Sequence, residues 1–411
     1  MIKLFNCIRF ILAVVLAGGA IATAGAAPRI SLLTQDAGKE IYELEGHAAL
    51  RIVTDDGRDM AVNWGVFDFT SPNFAYRFTA GQTDYLCVMV PTDMLIAEYA
   101  PSGRQFREQV LDLTPTEAAR VIALVEENLR PENRTYRYNY VLDNCATRPY
   151  NIIRRALNDS ITLSVPESFT YSNTGITVPY REGEQSTFRK EMTRYHHNYP
   201  WYQFGINLAL GSGIDRPVTE LERGFSPLYL HELMAGATGG FDNRRLVTEE
   251  NILIAETGEC SPLGPTPWYL TPMAFAIVLL VVTTVVTVRD VRRLKVTRWF
   301  DSVLYSLFFV AGLLLTFLIF VSVHEATSPN WLYLWLNPFC IIPVIFEWIK
   351  SCRRVVYCYQ FCNFAALVLL LAGIPLHGQA FDATFPVLIA CDIMRAVSFI
   401  YIYRKTYNKR A

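Results

Sequence analysis

An excess of charge of one sign is missing from this chain: 37 Lys and Arg face 38 Asp and Glu, a formal net charge of -1 over 411 residues. No face is obviously basic, which argues against a nucleic-acid partner, because phosphate neutralisation needs clustered Lys and Arg. Histidine is scarce, with six residues. The adjacent His196 and His197 have no Cys or acid cluster at ligand spacing, so no metal is expected there. Gly211-Ser212-Gly213 lacks phosphate-loop spacing, and no cofactor is implied. No internal repeat or low-complexity stretch stands out. The nine Cys do not make a disulfide framework. Cys7 lies in the N-terminal apolar segment, and Cys340, Cys352, Cys358, Cys362 and Cys391 lie in or beside apolar runs. Only Cys87, Cys145 and Cys260 remain, and an odd number leaves at least one free thiol or an intermolecular bond.

Apolar length is what the sequence has in excess, at 52% hydrophobic against 18% charged residues. Lys3, Arg9, the run Phe10 to Leu16 and the small residues through Ala24-Gly25-Ala26 read as an export signal over residues 1–26. An uncleaved anchor is the alternative, although the run is short for a span. Five apolar stretches follow Pro267: Trp268 to Val288, about Ser302 to Val323, Trp331 to Ile349, about Tyr357 to Leu376, and about Phe385 to Tyr403. The first, third and fifth run into basic clusters, at Arg289 to Arg298, Lys350 to Arg354 and Arg404 to Arg410. The second and fourth end without Lys or Arg. The positive-inside rule then places residues 25–267 outside the cytoplasm and the C-terminus inside. Asp392 and Arg395 share a helix face and are expected to pair, and Glu347 is expected to snorkel to the interface.

In the exported part, His47 to Val53, Met60 to Phe67, Asp84 to Val90 and Tyr136 to Leu142 read as strands. Thr114-Pro115-Thr116-Glu117 opens a helix with a capping box, and a second helix runs from about Ala146 to Leu157. Cys145 falls where the last strand hands over to that helix, a place where the helix dipole and free N–H groups favour a thiolate and hold an oxyanion. His47, beside the small Gly46, is the candidate base, and Asn63 on the next strand is the candidate for orienting its imidazole. Asn144, Tyr138 and Arg148 are candidates for the oxyanion or for substrate. Arg148 has the equal alternative of pairing with Asp143, and Tyr136, Tyr138 and Tyr140 that of forming core. Taken alone, a Cys and a His far apart in sequence are weak evidence, and an inert buried Cys145 satisfies the same pattern.

Several segments carry a resemblance. They are Gly46-His47-Ala48-Ala49-Leu50-Arg51-Ile52, Asn63-Trp64-Gly65-Val66-Phe67-Asp68-Phe69, Pro72-Asn73-Phe74, Pro131 to Tyr140, Asp143-Asn144-Cys145-Ala146-Thr147-Arg148-Pro149, Thr187-Phe188-Arg189, and Pro200-Trp201 with Phe204-Gly205-Ile206. Together they resemble the bacteroidal lipoprotein N-acyltransferase B (Lnb) family. The resemblance implies an α+β, circularly permuted papain-like fold of the NlpC/P60 and lecithin:retinol acyltransferase type over residues 27–211. An extension or linker over 212–267, a five-helix transmembrane domain over 268–403 and a cytoplasmic tail over 404–411 would follow. The order His47 before Cys145 matches the permuted fold. The implied activity is transfer of an acyl chain from a membrane phospholipid, through a Cys145 thioester, to the α-amino group of a lipoprotein's diacylglyceryl-cysteine. The implied location is the inner membrane, with the catalytic domain in the periplasm. A peptidoglycan peptidase or amidase, or a phospholipase, using the same Cys-His pair is the alternative.

Overall fold

The computed structural model describes residues 27–67, 70–181, 183, 185–257 and 263–406. The export signal expected over 1–26, Cys260 and the end of the tail from 407 lie outside the described residues.

Seven strands make one antiparallel sheet: β1 (Arg29–Gln35), β2 (His47–Val53), β3 (Asp59–Val66), β4 (Asp84–Pro91), β5 (Phe106–Leu111), β6 (Thr135–Arg137) and β7 (Val247–Ile254). Their order is β7-β5-β1-β2-β3-β4-β6. The longer helices that accompany the sheet are α1 (Phe74–Thr79), α2 (Thr92–Tyr99), α3 (Pro115–Leu129), α4 (Thr147–Ala156), α5 (Phe188–Tyr195), α6 (Pro200–Ala209) and α7 (Pro227–Ala235). Successive strand side chains point to opposite faces. Ala48, Leu50, Ile52, Val62 and Trp64 therefore share one face, buried against Val121 and Val125 of α3 and Ile152 and Ile153 of α4. His47, Ala49, Ala61 and Asn63 share the other, where Ala49 and Ala61 pack with Leu95 of α2 and Phe106. Helix α3 starts as its sequence dictates. Thr114 and Glu117 close a full capping box behind Pro115, an arrangement that stabilises a helix by about 1 kcal/mol.

Two expectations for the sheet domain change. The strand expected over Tyr136 to Leu142 stops at Arg137, because the chain then turns back through an Asn139–Asp143 bridge toward α4. The stretch 212–267, expected as an extension or linker, completes the domain: β7 hydrogen-bonds β5, and α7 packs on β1 and β2. β7 is an edge strand with most of its side chains outside the core, so it lacks the hydrophobic alternation that marks a strand.

Four helices among the described residues are long and apolar enough to cross a membrane. They are α8 (Pro272–Arg293), α9 (Arg298–Phe320), α10 (Arg353–Ala372, preceded by a tighter turn from Lys350) and α11 (Thr384–Thr406). The third expected span is not one helix. Trp331–Leu334 and Pro338–Cys340 are single tight turns and Ile341–Phe346 a short helix, since Pro338 and Pro343 remove backbone donors and Asn337 caps a fresh start. This broken segment lies against α9 at Gly312, where an added Cβ would come within 2.6 Å of the Asn337 backbone. Arg395 does not pair with Asp392. It reaches across to Asp290 (2.8 Å) on α8 and to Asp301 on α9, while Asp392 accepts from Tyr305 and Asn363, both at 2.8 Å. Glu347 is buried rather than snorkelling, at the C-terminal cap of the short Ile341–Phe346 helix.

The sheet domain is seated on one end of the helical bundle. Phe204 of α6 meets Phe385, the Asn207 amide donates to Asp382 (2.9 Å), and Gly211 and Ser212 N–H groups donate to Ala326 and Pro329 (2.8 Å each). Val323 N–H donates to Ala80 at the end of α1 (3.0 Å). All these loops belong to the bundle end that lacks basic clusters. Arg189 braces the seat from within, paired with Asp215 (2.8 Å) and donating to the Leu210 and Gly211 carbonyls.

Candidate active site

Cys145 immediately precedes the first turn of α4. Asn144 prepares that turn: its Oδ1 accepts the Ala146 and Thr147 N–H groups (2.9 Å each), and its Nδ2 donates to the Tyr140 and Phe225 carbonyls (2.7 and 2.8 Å). This side-chain turn initiates a helix in the way Asn commonly does. It leaves the Asn144 amide occupied by the main chain. The Cys145 N–H makes no main-chain hydrogen bond among the described residues.

The base comes from the sheet. His47 opens β2, and the register that sets Ala49 opposite Asn63 puts His47 and Asn63 diagonally across one face. His47 Nε2–H donates to Asn63 Oδ1 at 3.2 Å, which leaves Nδ1 for the thiol. Cys145 bonds His47, the Ala48 N–H and the Tyr138 hydroxyl, whose oxygen lies 3.9 Å from Sγ. Tyr138 is itself held by stacking on Tyr85, with ring centroids 4.3 Å apart. Gly65 makes room for this cluster. It sits at φ +89°, and an added Cβ would lie 3.1 Å from the Tyr138 ring and 3.7 Å from Cys145 Cβ.

The electrostatics favour a thiolate and an imidazolium. Burial opposes the charged thiol, but His47, the Ala48 N–H and the Tyr138 hydroxyl outweigh it and hold Cys145 below the ordinary thiol range. Burial likewise opposes a charged His47. The Cys145 thiolate and the Asn63 carbonyl reverse this and raise His47 above an ordinary imidazole. A pair of this kind has the chemistry to act as a nucleophile with its base.

The structure thus brings Cys145, His47, Asn63 and Tyr138 together. Arg148 is turned elsewhere, forked onto Asp143 at 2.6 Å by two bonds and lying over the Tyr136 ring, 3.6 Å from its centroid. Among the described residues no group of three or more His, Cys, Asp or Glu gathers as a metal site.

Two family models match, the Lnb N-terminal periplasmic domain over residues 22–174 and the Lnb transmembrane domain over residues 265–406. The chain belongs to the Lnb family. No curated protein and no solved structure matches it. Lnb membership implies acyltransferase activity in a membrane protein with a periplasmic domain.

Sequence reasoning missed one side chain of this candidate site. Glu45, two positions before His47, is buried beside Cys145 and bonded by Tyr140, and its Oε1 has no hydrogen-bond partner. Burial, with the Cys145 and Glu191 charges adding and the Tyr140 bond opposing, pushes its carboxyl up to about 8. The Glu-Gly-His spacing was the available signal.

Proposed function

We propose that this chain transfers a fatty acyl group from a membrane phospholipid to the α-amino group of a lipoprotein's diacylglyceryl-cysteine. The observation that carries the reading is the buried Cys145–His47–Asn63 arrangement, seated by its domain on a membrane-spanning bundle.

The Cys145 thiolate attacks the ester carbonyl carbon of the phospholipid. The carbonyl oxygen becomes an oxyanion, facing the Cys145 N–H and the Tyr138 hydroxyl. As the tetrahedral intermediate collapses, the C–O bond breaks, and the His47 imidazolium gives its proton to the leaving lysophospholipid. Asn63 holds the ring in the orientation this needs. The acyl group now sits on Cys145 as a thioester. The lipoprotein's amine attacks that carbonyl, the C–S bond breaks, and His47 takes the amine's proton. A thioester is reactive enough toward an amine that no external energy source is required. Both substrates are lipids, which accounts for a catalytic domain fixed to the bundle.

The same reading makes the sheet domain a permuted papain-like one, with His47 on a strand ahead of the Cys145 helix. The broken segment Trp331–Phe346 is then the fifth crossing of an inner-membrane bundle whose C-terminus is cytoplasmic. The absence of Lys and Arg from the loops beneath the sheet domain supports that orientation.

The test is the intact mass of an N-terminal lipopeptide from cells lacking other N-acyltransferases. The wild type adds one acyl chain to the α-amine, and Cys145→Ala and His47→Ala add none. A lipopeptide left diacylated by the wild type overturns the reading. Lysophospholipid released without N-acylation would establish the phospholipase alternative, in which water resolves the thioester.

A further inference from the structure

Glu45 is a buried acid without a countercharge. Among the described residues its one basic neighbour is His196, whose Nε2 lies 3.9 Å from Glu45 Oε1. Neither of those two atoms has a hydrogen-bond partner.

The protonation of His196 follows from a chain of directed bonds. Asp382, in the loop before α11, only accepts, so Asn207 presents Nδ2–H to it at 2.9 Å. Asn207 Oδ1 then accepts from Gln203 Nε2 at 2.8 Å, which turns Gln203 Oε1 toward His196 Nδ1, also at 2.8 Å. Nδ1 must therefore carry the hydrogen, and Nε2 faces Glu45 as a bare acceptor. Burial pushes His196 down to about 4, so it stays neutral. When Glu45 is deprotonated, its Oε1 and His196 Nε2 are two buried acceptors 3.9 Å apart, which a cation bearing several N–H groups would satisfy. Tyr140, which bonds Glu45, is 39% exposed, so the carboxylate lies one side chain below the surface.

The geometry points to Glu45 and His196 as the binding site for a substrate primary ammonium beside Cys145, with Glu45 receiving the proton that makes the amine nucleophilic. This rests on the acyl-transfer reading. The balance is simple. The ammonium gives one proton to the Glu45 carboxylate, and the free amine attacks the thioester carbon. The C–N bond forms as the C–S bond breaks, and the second amine proton passes to His47, restoring the thiolate–imidazolium pair. Glu45 then releases its proton to solvent. Burial raises the Glu45 carboxyl toward the ordinary α-amine range of about 7.7–8.0, so the two groups hold the proton with comparable affinity. The other groups acting on Glu45 are the Cys145 charge in the free enzyme, the Glu191 charge and the Tyr140 hydroxyl, and its own charge acts on the Tyr195 and Tyr202 rings, which burial keeps un-ionised. The ammonium has two possible sources, the acceptor's α-amine and an ethanolamine headgroup on the donor.

The test uses full-length wild type and Glu45→Gln in vesicles of phosphatidylglycerol or of phosphatidylethanolamine. Acyl-Cys145 formation is followed by intact mass, and its decay is followed after adding a diacylglyceryl-cysteine lipopeptide. The expected result is acylation within about threefold of wild type from either lipid, with decay to N-acyl product slowed roughly 100-fold. Acylation lost only from phosphatidylethanolamine assigns the ammonium to the donor headgroup and keeps the site. Equal losses in both steps with both lipids, or no loss in either, overturn it. So does a Glu45→Gln protein whose Cys145 no longer reacts with iodoacetamide, since Glu45 would then serve only the fold. A wild type that never forms acyl-Cys145 refutes the acyl-transfer reading itself.

Discussion

Replacing Asn63 with Ala removes the acceptor that steadies His47 and leaves the thiol in place. The bond lost runs from His47 Nε2 to Asn63 Oδ1, at 3.2 Å on a side chain only 5% exposed. When His47 is an imidazolium this is a charge-assisted bond, a class worth about 1.5–3 kcal/mol. A length of 3.2 Å puts it at the lower end, about 1.5 kcal/mol, or roughly tenfold in the population of the thiolate–imidazolium pair. The sign follows from the shifts. Cys145 is lowered and His47 raised, so the reactive thiolate appears as pH rises through the lowered Cys145 value. It is present below the ordinary thiol range near about 8.5. Without Asn63 the onset moves upward toward that range. The assay is the second-order rate of iodoacetamide alkylation of Cys145 against pH. Below the wild-type onset the Asn63→Ala rate should fall about tenfold, and once both thiols are fully ionised the two proteins should converge. A fall of less than twofold with an unmoved onset would refute the view that Asn63 supports the charged pair.

Two further outcomes are expected. Gly65→Ala places a Cβ 3.1 Å from the Tyr138 ring at φ +89°, whereas Gly57→Ala, at φ +84°, meets nothing within 4 Å. Both should lose about 1–2 kcal/mol of stability to left-handed strain, but only Gly65→Ala should also slow Cys145 alkylation; equal alkylation rates would sink the steric argument. Arg395→Met strands the buried Asp290 and Asp301 and should cost the bundle about 3–5 kcal/mol in a detergent unfolding titration, with Asp301→Asn recovering part of it. A loss below about 1 kcal/mol would refute the view that the two buried carboxylates depend on Arg395.

Much of this protein was legible from its residues in order. Hydrophobic run length marks α8, α9, α10 and α11, because a helix must keep apolar side chains over its whole length to cross a bilayer. The Thr114–Glu117 box and the apolar, β-branched runs bounded by turns at β2 and β4 are local rules, and they hold because their signals lie within a few residues. The place of Cys145 before a helix and of His47 on a strand follows from the same local signals.

Tertiary structure decided everything that depends on partners distant in the chain. β7 becomes part of the sheet only through β5, and its exposed side chains give no pattern to read. Asn144 was a candidate for the oxyanion, yet the Phe225 carbonyl engages its amide from across the domain. Asp392 and Arg395 share a helix face, but a stronger match on α8 and α9 takes the arginine. Sequence spacing lists the neighbours within reach along one element, and a buried charge selects among all those that folding brings to it. Glu45 and His196 are the clearest case, far apart in the chain and made a pair only because folding brings the turn between α5 and α6 to the residues just before β2.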